Sequence, residues 1–190
     1  RIKWFSWIRI TGLRFVLLYH FFQTIFPGGF FGVDVFFTFS GFLITALLIE
    51  EFSKNHEIDL IGFFRRRFYR IVPPVVLMVL VTMPFTFLVR QDYVAGIGGQ
   101  IAGVLGFMTN FYELLTGGSY ESQFIPHLFV HNWSLAVEVH YYILWGLAVW
   151  FLSKQAKSNG QLRGMVFLLS AAAFLIIFFS MFICSCLVTS

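Results

Sequence analysis

The sequence predicts an all-α protein: a polytopic transmembrane helical bundle with five or six membrane segments. Three observations carry this prediction. Hydrophobic residues fill 58% of the 190 positions and charged residues only 12%, about half the charged share of an ordinary soluble domain. The apolar residues gather into runs of ~20, the length that crosses a hydrocarbon core as a helix. The cations fall beside or between those runs, where they set orientation. The net charge of +4 is therefore no sign of a nucleic-acid partner, and the partner that composition implies is a lipid bilayer.

The first predicted span is Trp7–Phe26, with Pro27-Gly28-Gly29 as the turn that follows. Its basic start imitates a secretory signal, but no small-residue cleavage site precedes the next apolar run, so it is read as a retained helix. Phe30–Ile49 is the second span, closed by Glu50 and Glu51. Residues 50–70 are expected to form a polar loop with a basic end, FFRRRFYR. Ile71–Val89 is the third span, and Pro73-Pro74 suit a first helical turn there. Residues 95–115 are apolar but carry Gly96, Gly98, Gly99, Gly103 and Gly106. They make a sixth segment if they cross and leave five if they are re-entrant, since irregular backbone is tolerated at membrane depth when protein covers it. A polar loop over 116–132 leads to the span Trp133–Leu152, a basic loop with Lys154, Lys157 and Arg163, and the last span Gly164–Val188. Cys184 and Cys186 stand two apart on that span and point in different directions, so neither a disulfide nor a metal site is implied.

Orientation follows from the cations. Arg1, Lys3 and Arg9 precede or begin the first span, and Lys54, Arg65, Arg66, Arg67 and Arg70 lie between the second and third. If the first two spans form a hairpin, both groups share one side, which is cytoplasmic by the positive-inside rule. The expected location is thus the plasma membrane, multi-pass, with a cytoplasmic N-terminus. The loop 153–163 joins that side only if 95–115 does not cross.

Ionisable residues inside such spans are expensive and mark function. Arg9 and His20 are eleven positions apart, close to three whole helical turns, so they share a face ~16 Å apart along the axis. His20 lies about 10 Å, and Asp34 roughly 7 Å, below the same end of a tight hairpin. The two can then meet, and a carboxylate beside an imidazole orients it and raises its basicity. Arg14 points some 120° from the Arg9–His20 stripe and has no assigned role. The run Arg65-Arg66-Arg67-Phe68-Tyr69-Arg70 is either a positive-inside anchor or a phosphate site, because guanidinium groups grip phosphate bidentately. Arg67 and Arg70 share a face if the helix starts early. In HLFVHNWSLAVEVHYY, Glu138 lies five residues into its span, with Ser134, Tyr141 and Tyr142 on one side with it. His127 and His131 are four apart, but no third ligand accompanies them and no metal is expected.

Arg9-x10-His20, GGFFGVDVFFTFSGFLI, RRRFYRIVP and NWSLAVEVHYY occur in one order. With these four motifs the chain resembles the membrane acyltransferase-3 family, most closely the bacterial peptidoglycan O-acetyltransferases of the OatA type. The resemblance runs along essentially all of 1–190 but covers only the N-terminal part of the family's pattern, with no extracellular domain. It implies transfer of an acetyl group from cytoplasmic acetyl-CoA to a hydroxyl of a cell-wall or surface polysaccharide, in this branch peptidoglycan. It implies that Arg9 and His20 are the essential pair, with His20, backed by Asp34, as base or transient acyl acceptor. Arg67 and Arg70, with Arg66 beside them, would meet the coenzyme, as Arg9 would from the cytoplasmic end. Glu138 would share a proton or orient the acceptor path. The competing expectations are a transporter or proton relay lined by His20, Asp34 and Glu138, and a non-catalytic fragment that only packs with other membrane proteins.

Overall fold

The computed structural model describes residues 31–88, 94–116 and 127–188, together with Thr11, Arg14, Leu18 and Phe21. The predicted pairing of Arg9 and His20, and most of the first predicted span, lie outside the described residues. Among the described residues every regular element is a helix. They are α1 (Phe31–Asn55), α2 (Leu60–Thr82, continued by a 3-10 turn Met83–Leu88), α3 (Ile97–Leu105), α4 (Thr109–Thr116), a 3-10 turn Val130–Asn132, α5 (Trp133–Gln155) and α6 (Asn159–Val188). Four stretches of these helices are long and apolar enough to cross a membrane: Asp34–Asn55, Leu60–Thr86, Val130–Gln155 and Asn159–Ile177. Their outward faces carry Leu77, Leu80, Leu144, Phe151, Phe167 and Phe174 in exposed positions, as lipid contact requires. Their hydroxyls turn back onto their own helix: Thr38 donates to the Asp34 carbonyl at 2.8 Å, Thr82 to Met78 at 2.8 Å and Ser170 to Val166 at 2.8 Å. That satisfies the hydroxyl where no water is at hand.

The arginine run is helical rather than a loop. Asp59 caps α2, its carboxylate accepting from the Gly62 amide at 2.9 Å, a standard N-cap bond. The 50–70 loop of the sequence reading shrinks to residues 56–59, and Arg65 to Arg70 ride the first turns of α2. Pro73 and Pro74 consequently fall inside the helix. Neither has an N–H, so the carbonyls of Tyr69 and Arg70 lose their helical donors.

Two compact units divide the chain, and α1 and α5 contribute to both: residues 1–42 with 59–144, and residues 43–58 with 145–190. In the second unit Ile44, Leu48, Phe52, Val149, Leu162 and Val166 are buried. Trp145 donates its indole N–H to Thr45 Oγ1 at 2.8 Å, Asn159 Nδ2 donates to Ser53 Oγ at 3.0 Å, and Lys154 reaches Glu57 at 4.0 Å. The loop after α1 and the loop after α5 are therefore neighbours. Lys154 and Lys157 lie at the same end of this unit as Lys54.

The glycine-rich segment belongs to the first unit. It is two short helices, of 9 and 8 residues, roughly 12–14 Å each, too short to cross a ~30 Å core singly. They form an antiparallel hairpin, since Gly103 lies against Thr109 while Gly99 and Gly96 lie against Tyr112. Phe107 makes the turn at φ 54°, a region bulky residues avoid. Its ring is held against the core of Val75, Val79, Val104 and Phe129. Residues 95–115 thus turn back instead of crossing as one helix. A Cβ on Gly99 would stand 2.7 Å from Tyr112 Cε2, whereas one on Gly98 meets nothing within 4 Å. Gly99→Ala is expected to destabilise the protein by about 1–3 kcal/mol through overpacking. Gly98→Ala is expected to be neutral or slightly stabilising. Thermal unfolding of the two variants in lipid nanodiscs checks this, and equal melting of both would contradict the hairpin.

Candidate active site

Polar side chains are rare in these helices, yet four of them meet below the surface of the first unit. Ser40 comes from α1, Arg67 from α2, and Glu138 and Tyr142 from α5. Glu138 is 5% exposed and Arg67 8%, so two charged groups are held away from solvent, an arrangement that needs compensation. Glu138 and Tyr142 are one turn apart on α5, and the Tyr142 hydroxyl donates to the Glu138 carboxylate in a short hydrogen bond. Ser40 hydrogen-bonds with Tyr142 from α1. Arg67 lies over the Tyr142 ring and over the Phe63 ring, 5.6 Å from each centroid, a cation–π sandwich of the kind that stabilises a buried guanidinium. Gly41, next to Ser40, allows the close approach: its Cβ would stand 3.1 Å from the Tyr141 hydroxyl.

Arg67 and Tyr142 also line a cavity of about 790 Å³. Its walls are Phe64, Phe68 and Tyr69 of α2, Leu105 and Phe107 of the hairpin, and Val139 and Ile143 of α5, with Arg65 as the second cation. An apolar cavity with a few convergent polar groups is the usual form of a small-molecule site.

Of the residues singled out from sequence, Glu138 and Arg67 stand in this cluster. Arg66 and Arg70 are on the same helix but exposed, outside the cavity lining. Asp34 is exposed in the first turn of α1, where a carboxylate is favourable to the helix dipole. Its predicted partner His20, like Arg9, is outside the described residues. Arg14 is exposed. Tyr142 was grouped with Glu138 by spacing alone. Ser40 has no signal in the sequence that marks it as a site residue, whereas Arg65 belongs to the basic run read as an anchor or a phosphate site and reaches the cavity wall because α2 begins at Leu60.

A second polar group lies on the hairpin. Glu113 Oε2 pairs with His127 Nδ1 at 2.8 Å, and the Tyr112 ring packs 5.6 Å from the His127 ring. Gln100 ties the His127–Val130 segment to α3: its Nε2 donates to Ala95 O at 2.7 Å and its Oε1 accepts from the Phe129 amide at 3.4 Å. His131 is exposed. His140 turns to α4, its ring 5.7 Å from that of Phe111.

Comparison with known proteins gives a consistent picture. The family described as the acyltransferase domain matches residues 2–189. O-acetyltransferase OatA of Staphylococcus aureus strain NCTC 8325 / PS 47 is 31% identical over 166 residues, covering 86% of this chain and 28% of the relative. Peptidoglycan O-acetyltransferase OatA of Listeria monocytogenes is 30% identical over 160 residues, covering 84% of this chain and 26% of the relative. A putative O-acetyltransferase of S. aureus strain COL is 32% identical over 136 residues, covering 72% and 22%. The chain therefore spans about a quarter of the length of the relatives it matches. No solved structure matches it.

Proposed function

The chain belongs to the acyltransferase-domain family, and from that premise we propose that residues 1–190 are the N-terminal part of a membrane O-acyltransferase domain. Its reaction moves an acetyl group from cytoplasmic acetyl-CoA to a hydroxyl of a cell-wall polysaccharide, and the relatives' names favour peptidoglycan as that acceptor. The observation that carries this reading is the buried Arg67–Tyr142–Glu138 cluster at the wall of a cavity of about 790 Å³.

The residues present suit the donor. Arg65 and Arg67 supply guanidinium groups for phosphate, and the apolar and aromatic wall suits a thioester arm. Arg66 and Arg70, exposed on the same face of the membrane, and Arg9 extend the cationic approach. Acetyl-CoA supplies the activated acyl group when bound. Arg67 is held rigid by its two aromatic neighbours, so it presents charge without reorganisation. Glu138 keeps a carboxylate within reach of the Tyr142 hydroxyl and can take up or release a proton there. His20 serves as base or transient acyl carrier, with Asp34 as its orienting carboxylate. The protein is multi-pass in the plasma membrane with its N-terminus cytoplasmic, as the clustered cations favour.

The test is acetyl transfer from radiolabelled acetyl-CoA to peptidoglycan by the full-length protein in nanodiscs. Absence of both product and thiol release would sink the proposal. Within that assay Arg70→Ala is expected to raise the KM for acetyl-CoA roughly tenfold with kcat little changed, the effect of one lost charge-assisted contact. An unchanged KM would reduce Arg70 to a topology anchor.

A further inference from the structure

The Glu113–His127 pair plays no part in the cluster above, and its surroundings carry an unexplained debt of hydrogen bonds. Glu113 Oε1, Thr109 Oγ1 and Asn110 Oδ1 are all buried and have no partner. They come from positions i+4, i and i+1 of the single helix α4, so the carboxylate is one turn from both other oxygens. Thr109 is 2% exposed and Glu113 7%. Buried polar atoms are nearly always paired, and a cluster of exceptions calls for a ligand or ordered water. We propose that Thr109, Asn110, Glu113 and His127 form a hydroxyl-binding subsite for the carbohydrate acceptor.

The chemistry selects that class. The oxygens of Glu113 and Asn110 can only accept, and the Thr109 hydroxyl can do either. A ligand must therefore bring several donors. The hydroxyl and neighbouring N-acetyl N–H groups of an amino sugar do so, whereas phosphate would face a carboxylate and be repelled. The subsite is thus unsuited to the anionic acyl donor and distinct from the arginine-lined cavity. The His127 side chain is 18% exposed, which leaves an approach. The Tyr112 ring, half-buried against Gly99 and 5.6 Å from the His127 ring, closes one side of the subsite. Glu113 fixes one imidazole nitrogen, and Gln100 fixes the backbone that carries His127, so the wall is preorganised. The position also fits. α4 packs on the 3-10 turn that begins α5, the end remote from Lys154, and its Phe111 touches His140, two residues from both Glu138 and Tyr142.

This inference rests on the acyltransferase reading, and the experiment separates the two. Full-length protein in nanodiscs is assayed for thiol release from acetyl-CoA without acceptor, for transfer to a soluble β-1,4-linked N-acetylglucosamine tetramer, and for direct binding of that tetramer. Thr109→Val and Glu113→Gln are expected to raise the tetramer KM and Kd roughly tenfold, with thiol release as in the wild type. Thr109→Val is also expected to melt at the same temperature or higher, because it removes an unpaired buried hydroxyl. A merely structural threonine would do the reverse. Unchanged tetramer affinity in Thr109→Val overturns the subsite. So does stabilisation by magnesium or calcium ions that Glu113→Gln abolishes while tetramer affinity stays constant, since that marks a cation site. If the wild type releases no thiol, the acyltransferase reading fails, and tetramer binding alone then decides the subsite: weaker in Thr109→Val supports it, equal overturns it.

Discussion

Glu138→Gln in the full-length protein is expected to slow acetyl transfer by roughly a hundredfold or more, in the ~10²–10⁴ range of positioned acid–base groups. The substitution preserves size, and the amide oxygen can still accept from the Tyr142 hydroxyl. What it removes is the charge and the ability to hold a proton. The KM for acetyl-CoA and the melting temperature should therefore stay near wild type while kcat falls. Tyr142→Phe keeps the ring under Arg67 and removes only the donor to Glu138. It is expected to give a smaller loss, and the double variant should lose less than the sum of the two, because they share one bond. If Glu138→Gln transfers acetyl groups within a few-fold of wild type, the carboxylate is only a tie between helices.

Arg67→Ala has the second-largest expected effect, and it acts on stability and on donor binding together. The guanidinium lies 5.6 Å over both Phe63 and Tyr142. A desolvated cation–π contact contributes about 2 kcal/mol, so truncation should lower the melting temperature by several degrees. It also strips the cavity wall of its buried cation, and acetyl-CoA affinity should fall at least tenfold. Arg67→Lys keeps the charge but not the planar stack, and an intermediate result is expected in both measurements. Wild-type melting and wild-type donor affinity in Arg67→Ala would remove both assignments at once.

The long apolar runs of α1, α5 and α6 were legible because lipid selects composition over ~20 residues at a time. The start of α2 was not. Its arginines read as a loop, since the same residues that anchor a cytoplasmic loop also fill the first turns of a helix when their stems pack on aromatics. The overlooked signal was Asp59, whose carboxylate caps that helix. The glycines of 95–115 signalled an irregular segment, yet the turn falls at Phe107 in a left-handed conformation, which tertiary packing imposes and no local preference reveals. Within the site, Glu138 could be picked out because a carboxylate inside a span is costly, and Arg67 because guanidinium groups suit phosphate. Ser40 could not, because a serine in an apolar helix usually bonds its own backbone. Glu113 and His127 are fourteen residues apart, and only the hairpin brings them to 2.8 Å.

The tandem prolines of α2 give that helix unequal mechanical stiffness. Above them Val75 and Val79 are locked in the core. Below them Arg65 and Arg67 line the cavity, and the two carbonyls left without donors remove the struts that would couple the halves. A helix built this way is a lever with a soft joint. The near arm is anchored by Arg67 on the Tyr142 ring and the far arm by Val75 and Val79 in the core, so any bending concentrates between them. Because Arg67 of the near arm stacks on Tyr142, which donates to Glu138, a bend at that joint is felt at the carboxylate.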